Sequence, residues 1–172
     1  MTIRLDEAIK LAIEFEKKVT KVYEDAAGKI ADPKGQQVFQ QLAKEEAGHI
    51  AYLVSRLGEW QKCGKITVEE LKTIVPDKER IAAGRKRLSK SLRGKHPATT
   101  EIEYLKRALE TEKSASDFYT RMVSELPPEQ QTLFARFVQI EEGHLAIVQA
   151  EIDAVQGSGF WFDMKEFDLE MG

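Results

Sequence analysis

A single cysteine, Cys63, stands in 172 residues, so the chain can form no internal disulfide and has no Cys-x-x-Cys pair. That excludes all-cysteine zinc sites, rubredoxin-type iron and iron–sulfur clusters, and it fits a reducing, cytoplasmic compartment. Any metal must be held by oxygen and nitrogen. Long apolar runs are also missing: the longest, Ile50 to Val54, spans five residues, and no apolar stretch precedes the first acid, Asp6. Neither a membrane-spanning helix nor a secretory signal is expected. Nor is there an excess of one charge, with 26 basic against 29 acidic side chains, so no global field would hold the chain on nucleic acid or a membrane. With only 11 Gly and 5 Pro it is not a low-complexity or disordered chain, and 42% apolar with 32% charged residues suits one globular core. Cys63 itself reads as a partly buried small hydrophobe near a helix end.

Four segments carry apolar residues at helical spacing. The first follows Leu5, Ile9, Ile13, Val19 and Tyr23 to about Ile30, where Asp32-Pro33 breaks it. The second runs from about 34 to 62 along Val38, Phe39, Leu42, Ile50, Leu53 and Trp60, and Gly64 ends it. The third begins after Pro97, with Thr100 and Glu103 as a capping box, and follows Ile102, Leu105, Leu109, Ala115, Tyr119 and Met122. Pro127-Pro128 separates it from a fourth, from Leu133 to Val155, which Gly157-Ser158-Gly159 closes.

Helices of roughly 25 residues, about 37 Å long at 1.5 Å per residue, predict an all-α four-helix bundle over residues 1–156. Short turns make antiparallel hairpins of 5–63 and 100–156, and a long crossover connection, 64–99, joins them. Thr67 and Glu70 mark a short helix within that crossover. Its second half, from Lys78 to Lys95, is basic and reads as a solvated surface, against the alternative of an anion- or partner-docking patch. His96, just before Pro97, is expected to be exposed. Residues 157–172 form a tail in which Phe160, Trp161, Phe162 and Phe167 are expected to pack on the same chain or on a second subunit.

The two hairpins repeat one another. Glu16 and Tyr23 recur as Glu112 and Tyr119 at an offset of 96, with Ala12 and Thr20 matched by Ala108 and Ser116. Leu42…Glu46-x-x-His49-Ile50 recurs as Phe137…Glu141-x-x-His144-Leu145 at an offset of 95. At about 100° per residue, each of these charged residues lies within the apolar stripe of its helix. Four helices thus point four Glu and two His into one core.

Ionised carboxylates buried together cost several kcal/mol apiece in desolvation, and their repulsion adds to it. Something positive must accompany them, and no Lys or Arg holds an equivalent inward position. Two divalent metal ions would balance four carboxylates, with two neutral imidazoles completing the ligand set. Glu-x-x-His places an oxygen and a nitrogen one turn apart on one face, so Glu46 and Glu141 are candidate bridges beside terminal His49 and His144. Mixed oxygen and nitrogen ligation favours Fe or Mn over Ca or Mg, and the lack of thiolate argues against structural Zn. Tyr23 and Tyr119, two turns from their glutamates, either hydrogen-bond carboxylates of the opposite hairpin or only pack. Glu45 and Glu142 point about 100° away from the stripe, either into solvent or as hydrogen-bond partners of a ligand.

On the repeated Glu16…Tyr23…Glu46-Ala47-Gly48-His49 and Glu112…Tyr119…Glu141-Glu142-Gly143-His144, the chain resembles the ferritin-like di-iron carboxylate superfamily, and within it the rubrerythrins. The resemblance covers about Leu5 to Val155. The tail, Phe160-Trp161-Phe162-Asp163 with Glu166-Phe167, is similar to the ending of short rubrerythrin-like proteins made of the di-iron domain alone. It implies a ferritin-like bundle holding two iron ions, with Mn or Zn as substitutes, that reacts with hydrogen peroxide or dioxygen, often as a homodimer. Glu16, Glu46, His49, Glu112, Glu141 and His144 match the motif ligands. Two positions depart from the pattern. Rubrerythrins carry a further glutamate one turn past the third-helix ligand, and Ala115 stands there. They also carry a four-cysteine rubredoxin domain, which this chain lacks, so electrons are expected from an external donor protein. Iron oxidation for storage, hydroxylation of an organic substrate and non-catalytic metal binding are the competing readings.

Overall fold

The computed structural model describes residues 3–88, 99–159 and 161–165. Its elements are α1 (Leu5–Ala27), α2 (Pro33–Cys63), α3 (Lys78–Leu88), α4 (Thr99–Glu125) and α5 (Pro128–Ser158). The fold is all-helical, with no strand among the described residues.

Local chemistry sets the helix ends. Asp32 caps α2, its carboxylate accepting from the N–H of Lys34 at 2.8 Å and of Gly35 at 3.3 Å, while Pro33 occupies the first turn, where its missing N–H costs nothing. At the start of α1, Glu7 accepts from the Arg4 N–H at 3.3 Å. Asp6 and Glu7 also place negative charge at the positive end of that helix dipole. Gly64, at φ 67°, and Gly159, at φ 73°, end α2 and α5 in the left-handed conformation that glycine tolerates best. Each returns its N–H to a carbonyl of the preceding turn, Trp60 at 2.8 Å and Val155 at 2.9 Å. α4 already includes Thr99, so Thr100 lies within its first turn instead of capping it.

The apolar stripes meet in one core. α1 packs along α2 and α4 along α5, the pairs meet through α1 and α4, and α3 lies on α5. Ile9, Tyr23, Phe39, Leu42, Tyr119, Phe134 and Phe137 are among its fully buried residues.

The chain between α2 and α3 runs back along α2. Tyr52 donates to the Glu69 carbonyl at 3.1 Å and Arg56 to that of Thr67. No short helix starts at Thr67 and Glu70: Glu59 accepts both the Thr67 N–H at 3.0 Å and its hydroxyl at 2.7 Å, so the N–H that a capping box would give to Glu70 is already taken. The helix of this connection begins at Lys78, where Asp77 accepts from the Arg80 N–H at 2.9 Å. Ion pairs of Lys78 with Glu142 and of Arg85 with Asp153 fasten it to α5. Lys90, Arg93, Lys95 and His96 lie outside the described residues. Cys63 is exposed, not partly buried: it is the last residue of α2, and its thiol donates to the Glu59 carbonyl at 3.2 Å.

The tail packs on its own chain. Trp161, Phe162 and Met164 belong to the core, and the Trp161 indole N–H donates to Glu101 at 2.8 Å. Gly35 is required opposite it, since a Cβ there would come within 2.7 Å of the indole. Phe160 and Phe167 lie outside the described residues.

Candidate metal centre

The apolar stripes that drive α1, α2, α4 and α5 together each carry a charged residue, so packing the leucines and aromatics also carries those charges inward. Glu16, Glu46 and Glu112 are 0% exposed, Glu141 1%, His49 1% and His144 0%. The structure brings all six together. His49 Nδ1 lies 2.9 Å from Glu46 and 3.2 Å from Glu16, and His144 Nδ1 lies 2.7 Å from Glu46, 3.5 Å from Glu112 and 3.8 Å from Glu141. The two imidazoles stack at 5.5 Å with their planes 11° apart. Phe137 stands edge-on to His49 and stacks on Tyr119 at 4.7 Å, forming an apolar wall.

Of three sets of donor atoms that each converge within 4.8 Å, two draw on the stripe glutamates: one from Glu16, Glu46, His49 and Glu141, the other from Glu46, Glu112 and His144. Glu46 belongs to both, and Glu141 gathers with His49 of the other hairpin. Both tyrosines meet carboxylates across the hairpins, with Tyr23 donating to Glu112 and Tyr119 to Glu16.

Together these groups fix one another's protonation. Burial, with the Glu46 charge, pushes Glu16 up to about 8. Burial, with Glu112 and Glu16 close by, holds Glu141 well above the usual carboxylate range. Burial alone would lower both histidines, but nearby carboxylates, Glu46 foremost, outweigh it and raise His49 to about 9 and His144 well above its ordinary value. Glu46 goes the other way: burial opposes its charge, yet the two histidines hold it well below the usual range.

A cation fits this arrangement. Glu112 Oε2, both Glu141 oxygens, His144 Nε2 and His49 Nε2 are buried without a hydrogen-bond partner, and Glu46 Oε1 and His144 Nδ1 face one another at 2.7 Å without hydrogen-bond alignment. Native interiors leave few such atoms, so a cluster of them pointing into one space is a set of donors awaiting positive charge. Carboxylate and imidazole donors in these groups can hold a metal ion.

Two neighbours separate what the helical wheel left together. Glu142 faces outward, 43% exposed, and pairs with Lys78 at 2.8 Å. Glu45, only 6% exposed, turns inward towards His144 Nε2 at 3.6 Å and His49 Nε2 at 4.0 Å. It accepts from the Thr73 hydroxyl and from the Ile74 N–H at 3.2 Å. The i, i+4 spacing of Glu45 and His49 was the available signal for the first contact; nothing in the sequence announces Thr73. No helix among the described residues is long and apolar enough to cross a membrane.

Comparison with family models, curated proteins and solved structures gives no match.

Proposed function

We propose that this chain is a ferritin-like four-helix bundle of rubrerythrin type, and that Glu16, Glu46, His49, Glu112, Glu141 and His144 hold two iron ions in it. Reduction of hydrogen peroxide, or of dioxygen, by electrons from an external protein donor is the reaction this centre would carry out. The observation that carries the reading is the sharing of Glu46 between two converging donor sets, the arrangement a carboxylate needs to bridge two ions. When bound, a ferrous pair would supply the two electrons that reduce peroxide.

The chain's own residues do the rest. Tyr119 and Tyr23 donate to Glu16 and Glu112, which fixes each carboxylate's orientation from the opposite hairpin. Phe137, fully buried against His49 and Tyr119, helps exclude bulk water from the ligand shell. Ala115, 0% exposed, offers no ligand where rubrerythrins carry a glutamate, so that turn of α4 adds no carboxylate to the six. These 172 residues hold no set of cysteine ligands and no nucleotide-binding glycine motif, so the bundle would take its electrons from a redox carrier outside itself.

The test combines elemental analysis with stopped-flow mixing of the anaerobically reduced protein. Expected are about two iron ions per chain, rapid oxidation by about one equivalent of peroxide, and further turnover only when a small redox carrier and its reductase are added. Accumulation of mineralised iron under oxygen, with slow reaction towards peroxide, would favour storage. A metal content near zero that Glu46→Ala leaves unchanged would overturn the proposal.

A further inference from the structure

The histidines of the centre face two ways. Their Nδ1 atoms lie against carboxylates, at 2.9 Å from Glu46 for His49 and 2.7 Å from Glu46 for His144. Their Nε2 atoms point away from that cluster and converge on Glu45 Oε1, at 4.0 Å and 3.6 Å. These separations are too long for hydrogen bonds, and neither Nε2 has a hydrogen-bond partner although both rings are buried. They do match ligand atoms around one ion, because bonds of about 2.1 Å place neighbouring ligands roughly 3 to 4 Å apart. Two imidazole nitrogens and one carboxylate oxygen thus make a second kind of donor set, on the outer side of the same two rings.

Its position is as informative as its chemistry. Thr73, which donates to Glu45, also lines a cavity of about 400 Å³ whose wall includes Asp77, Gln139, Ile140 and Glu142. Thr73 therefore touches both the cavity and Glu45, whose Oε1 faces the two imidazoles. Only one hairpin supplies such a carboxylate: at the offset of 95 the counterpart of Glu45 is Ile140.

We propose that Glu45, His49 and His144 form an outer position for a divalent transition-metal ion, occupied first and used to pass ions from the cavity to the four buried glutamates. The inference rests on the proposed function only in requiring that the inner cluster bind metal. A neutral imidazole offers one lone pair and carries its proton on the other nitrogen, so a ring that binds through Nε2 must release the ion, take a proton at Nε2 and give up the one at Nδ1 before it binds through Nδ1. The outer position is consequently emptied as the inner pair fills, and the final stoichiometry stays at two. Two nitrogens and one oxygen suit Fe²⁺, Mn²⁺, Co²⁺ or Zn²⁺ over Ca²⁺ or Mg²⁺.

The experiment uses the full chain freed of metal. Ring ¹⁵N spectra of the histidines are followed during Zn²⁺ addition, and the loading of Co²⁺ is followed by stopped-flow absorption. Below one equivalent, Zn²⁺ should shift the Nε2 resonances; at two equivalents the shift should lie on Nδ1. Glu45→Gln keeps the shape of the side chain and an acceptor for Thr73, so folding can be checked by its thermal transition. It should lose the early Nε2 signal and load Co²⁺ at least tenfold more slowly while still reaching two ions. Thr73→Val, which leaves the carboxylate held by the Ile74 N–H alone of these two donors, should slow loading by a smaller factor. Nδ1 shifts from the first addition, or a Glu45→Gln variant that loads at the wild-type rate, would overturn the outer position while leaving the inner pair intact. Failure of both proteins to bind any ion would overturn the proposed function itself, and the outer position with it.

Discussion

The Tyr23 hydroxyl donates to Glu112, 89 residues further along the chain and on the other hairpin. Tyr119 reciprocates with Glu16. Both phenols are pushed well above their ordinary value by burial and by the nearby carboxylates, so at neutral pH each remains an O–H donor. Removing one hydroxyl by Tyr23→Phe or Tyr119→Phe should leave a buried carboxylate oxygen short of a partner and cost about 1–3 kcal/mol of stability. Urea unfolding of the metal-free protein measures this, and a loss no larger than that of a surface substitution would assign both rings to packing alone.

In the metal-free protein, stability should fall as pH rises from about 6 to 9. Glu16 titrates near 8 in the folded chain against 4.5 when free, and His49 near 9 against 6.5. Both bind protons more tightly folded than unfolded, so their contribution is complete below the unfolded values and is lost as pH climbs through the folded ones. Glu46, depressed by the two histidines, acts oppositely, but only at acidic pH. Metal ions compete for these same sites, so binding at pH 7 should release protons, those of Glu16 and His49 among them. Thermal melts with and without Zn²⁺, and titration calorimetry in two buffers of different ionisation enthalpy, report the two effects. A melting temperature that rises from pH 6 to 9 without metal would contradict the protonation pattern.

Glu141→Gln separates stability from metal binding. Neither Glu141 oxygen has a hydrogen-bond partner, and the carboxyl is held well above its usual range by burial first and Glu112 next. An amide of the same shape carries no charge to bury, so the metal-free variant should be as stable as the parent or more so. It should also bind about one ion where the parent binds two, since an amide is a poor replacement for a ligand carboxylate. Melting in the presence of a chelator, beside elemental analysis after reconstitution, checks both halves.

What the sequence discloses here follows from periodicity. Glu16, Glu46, His49, Glu112, Glu141 and His144 each sit within an apolar stripe, so burying the stripe buries the charge, and the repeat ties the two halves together. Helix ends were legible for a similar reason: Asp32-Pro33, Gly64 and Gly159 act on the backbone next to them. Glu45 was not, because a wheel angle fixes direction relative to one helix only. Whether 100° off the stripe means solvent or cover depends on the chain laid over it, and that chain is Thr73 and Ile74. The start of α3 was misplaced for the same cause: Thr67 has the composition of a cap, but Glu59 of α2 occupies its donors. Composition implied that the tail's aromatics would be covered without saying by what.

That cover is Gly35, Phe39 and Glu101. Trp161 is 2% exposed, meets the Phe39 ring edge at 5.8 Å and donates to Glu101, whose other oxygen accepts from the Asp32 N–H at 3.2 Å. One indole therefore ties the tail to the turn between α1 and α2 and to the first turn of α4. Trp161→Ala should cost about 3–5 kcal/mol by loss of apolar burial and the cavity left behind. Trp161→Phe keeps much of the ring and loses the N–H, so about 1 kcal/mol is expected. Gly35→Ala forces a methyl to within 2.7 Å of the indole and 2.9 Å of Ile30. Overpacking of that kind should cost about 1–3 kcal/mol in the parent and distinctly less when Trp161 is already alanine. The double-mutant cycle decides where the tail sits. Strong coupling between 35 and 161 that does not vary with protein concentration means that the tail covers its own chain. Coupling that disappears on dilution would mean the indole belongs in a neighbouring subunit, and additive effects would separate Trp161 from Gly35 altogether.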